Sequence, residues 1–168
     1  MTNDYTTTNV QLEQLMQKHL GNKFRGVYSK DEALPPNVPG TGYIVNLQDS
    51  DAGGGTHWLG VTHNNKESFF YDPYGIVPSD VIIKHIKNGG TGSGRATTQT
   101  KRPIIYSDME IQQKNSTTCG YHVMSWLNFM TKKGLPTRQR YYDYLYKYME
   151  PYDSPTNEKK VKKEFGLT

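Results

Sequence analysis

Cys119 is the only cysteine among the 168 residues. A lone thiol cannot close a disulfide within the chain or build a zinc site from several thiolates. It follows the turn-forming run Lys114-Asn115-Ser116-Thr117-Thr118 and opens an apolar, helix-patterned stretch. A thiol at a helix N-terminus faces the positive end of the macrodipole and is expected to give up its proton more readily. His57 stands in Gly54-Gly55-Thr56-His57-Trp58, Asp72 follows fifteen residues later, and Gln112 and Gln113 precede the cysteine. Thiol, imidazole, carboxylate and amide are together the parts of a nucleophilic hydrolase.

The spacing between His57 and Asp72 makes a geometric prediction. Residues 57–63 and 68–72 read as two strands of a hairpin, with a turn around Asn64-Asn65-Lys66-Glu67. If Asn65-Lys66 is the two-residue turn, position 64 pairs with 67, and His57 comes to face Tyr74. Asp72 is then its diagonal neighbour on the same sheet face, about 7–8 Å away at the backbone and within side-chain reach. A slip of one residue would send the carboxylate to the opposite face. In the expected register Asp72 orients His57, and His57 takes the proton of Cys119. Attack on a carbonyl also needs donors for the developing oxyanion. The backbone N–H of Cys119 and the amide of either Gln112 or Gln113 are the candidates.

The elements that must position these groups follow from the pattern. A helix is expected over Val10 to Leu20 with Gly21 as its stop, and a proline-rich connection over Asp31 to Gly40. Gly42 to Leu47 reads as a strand, and Gly53-Gly54-Gly55 as a flexible loop before His57. Pro73 closes the hairpin's second strand by removing a ladder donor. Ser79 caps a helix to Lys87, and Asn88 to Gly94 is a glycine-rich linker. Arg102 to Tyr106 is a further strand. Cys119 to Lys132 is the strongest helix, with Val123, Met124, Trp126, Leu127 and Met130 at core spacing. Thr137 to Met149 is the last expected helix, and the charged tail beyond Pro151 is expected to be loose.

Composition sets the outer bounds. The length fits one domain, 1–168, able to bury a core, and thirteen tyrosines supply apolar area beneath a polar label. No secretory signal and no membrane-spanning run are visible, so a reducing compartment is expected. The net charge of +4 permits weak attraction to nucleic acid without demanding it.

Three segments in this order resemble the adenovirus maturation proteases (adenain) and, more broadly, cysteine proteases of virophages and Polinton-like elements and the SUMO-deconjugating proteases. They are Gly-Gly-Thr-His57-Trp58, Tyr71-Asp72-Pro73-Tyr74-Gly75, and Gln112-Gln113-Lys114-Asn115-Ser116-Thr117-Thr118-Cys119-Gly120. The resemblance spans roughly residues 40 to 131. It implies an α+β fold with a papain-like core in the order His, Asp, Gln, Cys, a central mixed sheet flanked by helices, and the cysteine at the N-terminus of a core helix. The family's histidine, acid and nucleophile match His57, Asp72 and Cys119. Its glutamine matches Gln112 on the adenoviral spacing and Gln113 on the shorter deconjugase spacing. Trp58 and Gly55 match positions beside a narrow groove for small residues such as Gly-Gly before the scissile bond. The adenoviral members carry glutamate where this chain has Asp72, whereas the deconjugases use aspartate. A disulfide-tethered activating peptide is excluded by the single cysteine.

The implied function is a cysteine endopeptidase, without cofactor or metal, that cleaves viral capsid precursors during virion maturation. A monomer in the host cytoplasm or viral factory, later packaged in the virion, fits that role. The alternatives are removal of SUMO- or ubiquitin-like modifiers, acetyl transfer by related chemistry, and an inactive binding relative.

Other motifs read more plainly. His63 lies six residues from His57, about 20 Å along a strand, and a surface or edge role is expected for it. His122, one turn past Cys119, is assigned to packing. Gly89 to Ala96 imitates a phosphate loop but lacks its lysine and following hydroxyl, so a linker is the better reading. Arg138 to Tyr152 mixes aromatics and cations as a nucleic-acid surface would, but its spacing suits a helix that packs Tyr141, Leu145 and Tyr148 inward. Lys159, Lys160, Lys162 and Lys163 form a small basic tail that could hold nucleic acid weakly.

Overall fold

The computed structural model describes residues 7–47, 57–88, 101–112, 117–149 and 154–167. Within them lie five helices and five strands. Helix α1 covers Asn9–Leu20. It starts with a capping box, in which Thr8 Oγ1 accepts from the Gln11 N–H and Gln11 Oε1 from the Thr8 N–H. It stops at Gly21, whose φ of 56° a side chain would resist. Strands β1 (Phe24–Ser29), β2 (Gly42–Asn46), β3 (Trp58–His63), β4 (Ser68–Tyr71) and β5 (Ile104–Ile105) form one sheet in sequence order. The edge pairs β1·β2 and β4·β5 are parallel, and the central pairs β2·β3 and β3·β4 are antiparallel. The fold is therefore α+β around a mixed sheet. Helix α2 is Asp80–Lys87, α3 Cys119–Thr131, α4 Arg138–Met149 and α5 Ser154–Glu164.

Alternation along the strands divides the core between the two faces of the sheet. Tyr43, Val45, Leu59, Val61 and Phe70 pack with Ile82 and Ile86 of α2. Ile44, Phe69 and Tyr71 face α1, α3, α4 and α5 on the other side. Tyr71 stacks on Trp126 at 5.3 Å and meets Tyr144 edge-on at 5.7 Å. Much of the tyrosine content is thus interior material. In α4, Tyr141, Tyr144, Leu145 and Tyr148 are buried while Tyr142 and Tyr146 face outward, and its arginines have structural partners. Arg138 pairs with Glu67 at 2.6 Å, and Arg140 donates to the Met130, Lys133, Gly134 and Leu135 carbonyls after α3.

Helix α3 sits so close to the sheet that Gly60 of β3 has no room for a side chain. A Cβ there would lie 2.8 Å from Trp126 Cε3 and 3.1 Å from Val123 Cγ1. Gly60→Ala is expected to destabilise the fold by about 1–3 kcal/mol through forced repacking, a change that a denaturant titration would read as a lower midpoint.

Several expectations need correction. The segment beyond Pro151 contains α5, with Asn157, Glu158 and Val161 buried, in place of a loose tail. Strand β1 was not expected. The strand expected over Arg102 to Tyr106 contracts to Ile104–Ile105, and Pro103 just before it has no N–H to give to a ladder. Ser79 occupies the N-cap of α2 but makes no side-chain cap bond. His63 is wholly buried, not at a surface or edge, because β3 is the central strand of five. Its Nδ1 lies 2.8 Å from Ser68 Oγ, which accepts from Arg102 Nε at 2.7 Å. Arg102 also donates to the Asn64 and Glu67 carbonyls and so pins the hairpin turn.

Burial, then the Arg102 charge, pushes the His63 imidazole down to about 3. The unfolded chain therefore binds a proton near pH 6.5 that the folded chain refuses, and stability falls as pH drops from that value toward 3. His63→Gln, which keeps an acceptor toward Ser68, is expected to lose less melting temperature than wild type between about pH 7 and pH 4. The glycine-rich linker from Gly89 onward lies outside the described residues.

Candidate active site

The hairpin adopts the expected register: Gly60 pairs with Tyr71, Val61 with Phe70, Thr62 with Phe69 and His63 with Ser68. Continued by three residues, that register brings His57 opposite Tyr74, and their rings stack at 4.8 Å with 25° between planes. The strand ends at Tyr71, and Asp72-Pro73-Tyr74-Gly75 folds into a turn closed by the Gly75 N–H on the Asp72 carbonyl at 2.8 Å. Gly75 has φ 74°, and a Cβ there would meet the Asp108 carbonyl oxygen at 2.6 Å. Only glycine fits that turn, for reasons of both backbone conformation and space.

The turn aims the Asp72 carboxylate at the histidine. Asp72 Oδ1 lies 2.9 Å from His57 Nε2 and also accepts from the Tyr74 N–H at 2.8 Å. Asp72 is buried, while the His57 side chain keeps 12% exposure. With Nε2–H given to the carboxylate, Nδ1 is left as the ring's acceptor. Nδ1 lies 3.2 Å from Cys119 Sγ. The structure thus brings together His57, Asp72 and Cys119, which are 62 and 47 positions apart from the cysteine in sequence for the first two.

Cys119 is the first residue of α3 and is only 4% exposed. Its sulfur accepts from the Trp58 N–H and lies within donating distance of the Trp58 carbonyl, both at 3.3 Å. Burial pushes the thiol above its ordinary value, an effect that the Trp58 N–H only partly offsets. The sequence-based expectation of an easily ionised thiol thus meets an opposing effect in the buried site. At this position desolvation works against the helix dipole. His57 Nδ1, 3.2 Å away, is the basic acceptor placed to take that proton.

Close packing fixes the helix that begins at Cys119. A Cβ at Gly120 would fall 2.0 Å from Thr7 Oγ1 and 2.9 Å from Leu12 Cδ2, so the residue after the cysteine admits α1 directly against the first turn of α3. The first N–H groups of a helix lack intrahelical acceptors, and those of α3 begin at Cys119 itself.

Gln112 is buried and reaches the site through Tyr74, to whose hydroxyl its Nε2 donates at 3.3 Å. The Ile111 and Gln112 N–H groups both donate to the Pro73 carbonyl, at 2.9 and 3.0 Å, which ties the glutamine to the turn that carries Asp72. Burial is the main influence raising the Tyr74 hydroxyl above its ordinary value, and it remains neutral at physiological pH. Gln113 and Gly55, the other candidates, lie outside the described residues. Trp58 is buried among the core residues that also surround Cys119, and its contact with the sulfur is through its backbone. His122 lies in the core with its Nε2 3.0 Å from Glu158 Oε1. Among the described residues no cluster of side chains suited to a metal is present, and no helix is long and apolar enough to cross a membrane.

Sequence reasoning missed three contributors. Tyr74 was placed opposite His57 but given no role, although it lies between the histidine and Gln112. Asn157 and Glu158 were consigned to the tail. Ser154-Pro155 followed by Val161 and Phe165 at four-residue spacing was a readable helix start and face.

No protein-family model matches the chain, and no curated protein does. Among solved structures it is similar to the ASFV pS273R protease, determined as a crystal structure of the Se-Met protein, at 14% identity and a TM-score of 0.39. That superposition covers 55% of this chain and 35% of the protease, so the chain spans about a third of the length of the structure it matches.

Proposed function

We propose that this chain is a cysteine endopeptidase with a papain-like site in the order His57, Asp72, Gln112, Cys119. The observation that carries this reading is the continuous set of contacts from Asp72 Oδ1 through the imidazole to the thiol, 2.9 Å on one side of the ring and 3.2 Å on the other. His57 Nδ1 takes the thiol proton as the sulfur attacks the substrate carbonyl, and Asp72 stabilises the imidazolium that forms. The Cys119 N–H and the Gln112 amide receive the oxyanion, for which the glutamine must move its donor from Tyr74 to the substrate oxygen. His57 then returns the proton to the departing amine. Water, deprotonated by the same nitrogen, releases the acyl group from sulfur.

The substrate class rests on the motif resemblance: viral capsid precursors cut after small residues such as glycine, by an adenain-like enzyme acting as a monomer during virion maturation and packaged with its substrates. Incubating the protein with a capsid precursor, a ubiquitin-like fusion, and acetyl-CoA plus an acceptor protein tests it. Trimming of the precursor is the expected result. Cleavage of the modifier fusion alone would replace this reading with deconjugation, acetylation of the acceptor with acyl transfer to protein, and no turnover with a noncatalytic relative.

A further inference from the structure

Helix α5 touches the site at two points, one on each side of the segment that leads to the nucleophile. On one side Asn157 Nδ2 donates to the Ile111 carbonyl at 3.2 Å, at the peptide that joins Ile111 to Gln112. On the other, Glu158 Oε2 accepts from the hydroxyl of Thr118, the residue before Cys119. The second oxygen of Glu158 lies 3.0 Å from His122 Nε2, one turn into α3. Asn157, Glu158, Thr118 and His122 are all buried. A carboxylate at that depth is costly unless its oxygens are well bonded, and here each has a fixed partner in α3 or its cap.

Asn157 and Glu158 are consecutive on one helix, so their separation is set by helical geometry and hardly varies. What they hold are the two peptide positions that carry the oxyanion donors of the proposed mechanism, the Gln112 amide and the Cys119 N–H. The geometry points to Asn157 and Glu158 as positioning residues that set the distance between these two donors, an inference that rests on the cysteine-endopeptidase reading above. Neither residue touches the reacting atoms. They act through Ile111 and Thr118.

Two reactions of the same sulfur separate this role from general support of the fold. Acylation of Cys119 by p-nitrophenyl acetate forms an S–C bond through an oxyanion and expels p-nitrophenolate. Alkylation by iodoacetamide forms an S–C bond and expels iodide without any oxyanion. Asn157→Ala, and Asn157→Leu with the volume restored, are expected to slow the acylation burst roughly 10–100-fold, since small displacements of donors carry penalties of that order. Alkylation should stay within about twofold of wild type, as neither thiol nor imidazole has lost a contact. Hydrogen exchange at the Ile111 and Gln112 amides should quicken while the β3 amides keep their protection.

Equal acylation rates in wild type and both variants would overturn the inference, and so would parallel losses of acylation and alkylation. A wild-type protein that gives no burst at all would overturn the cysteine-endopeptidase reading. The tether would then stand or fall on exchange alone, with unchanged protection at Ile111 and Gln112 in Asn157→Ala counting against it.

Discussion

Without its sulfur the protein is expected to be inert: Cys119→Ala should lower peptide hydrolysis by roughly 10⁵–10⁶-fold, as loss of a nucleophile does in hydrolases that act through a covalent intermediate. The fold should survive. The position is buried among apolar side chains, and alanine suits the first turn of a helix. The main structural loss is the acceptor of the Trp58 N–H, which costs about 1 kcal/mol. Cys119→Ser should be nearly as inactive, because a hydroxyl is far harder to ionise than a thiol and the site is dry. His57→Ala supplies the complementary test through alkylation. Burial already holds the thiol above its ordinary range, so removing the one basic acceptor should move the pH dependence of iodoacetamide alkylation upward. A variant that alkylates at neutral pH as fast as wild type would show that the imidazole does not take the proton.

Asp72 should respond to substitution in two distinct ways. Its Oδ1 receives both His57 Nε2–H and the Tyr74 N–H. Two donors converging on one atom require an oxygen there, so Asp72→Asn should place its carbonyl oxygen in the same spot. The imidazole then keeps its orientation and tautomer but loses the charge that stabilises its protonated form. A fall in kcat of about 10–100-fold is expected. Asp72→Ala removes the oxygen altogether. The ring is then held by stacking on Tyr74 and by its contact with the Cys119 sulfur, and its tautomer is unspecified. Activity should fall by roughly 10³–10⁴-fold, the scale on which a histidine presenting the wrong nitrogen fails. Similar losses in the two variants would mean that charge, not orientation, is the carboxylate's contribution. Single-turnover rates would separate these cases, since neither variant is expected to change substrate affinity much.

The parts of this architecture that could be read from sequence are those governed by local rules. The turn Asn64–Glu67 and the alternation on either side fix a register, and a register fixes which residues share a face. His57 and Asp72 could therefore be brought together on paper, and the α3 core positions follow a helical period. Strand β1 escaped because Arg25 and Gly26 interrupt the alternation where its pairing with β2 is irregular. Helix α5 escaped because its four lysines crowd a short apolar signal: Val161 and Phe165 mark an inner face, but the buried Asn157 and Glu158 beside them are polar. The burial of His63 depends on Arg102, which arrives from another part of the chain and satisfies Ser68 and the hairpin turn together. The raised thiol is a tertiary effect as well. The helix dipole is visible in sequence, but the desolvation that opposes it comes from the fold, which brings Trp58 against the sulfur.

The solitary, enclosed sulfur also has a consequence for oxidative chemistry. A peroxide that reaches Cys119 converts it to a sulfenic acid, and no second thiol exists in the chain to resolve that species as a disulfide. Rescue must come from a thiol supplied from outside, and the enclosure that shields the sulfur from oxidants equally hinders a bulky rescuer. Whether an oxidised molecule recovers or proceeds to the irreversible sulfinate therefore depends on small reductants in its surroundings, and the protein's working life becomes a reading of their supply.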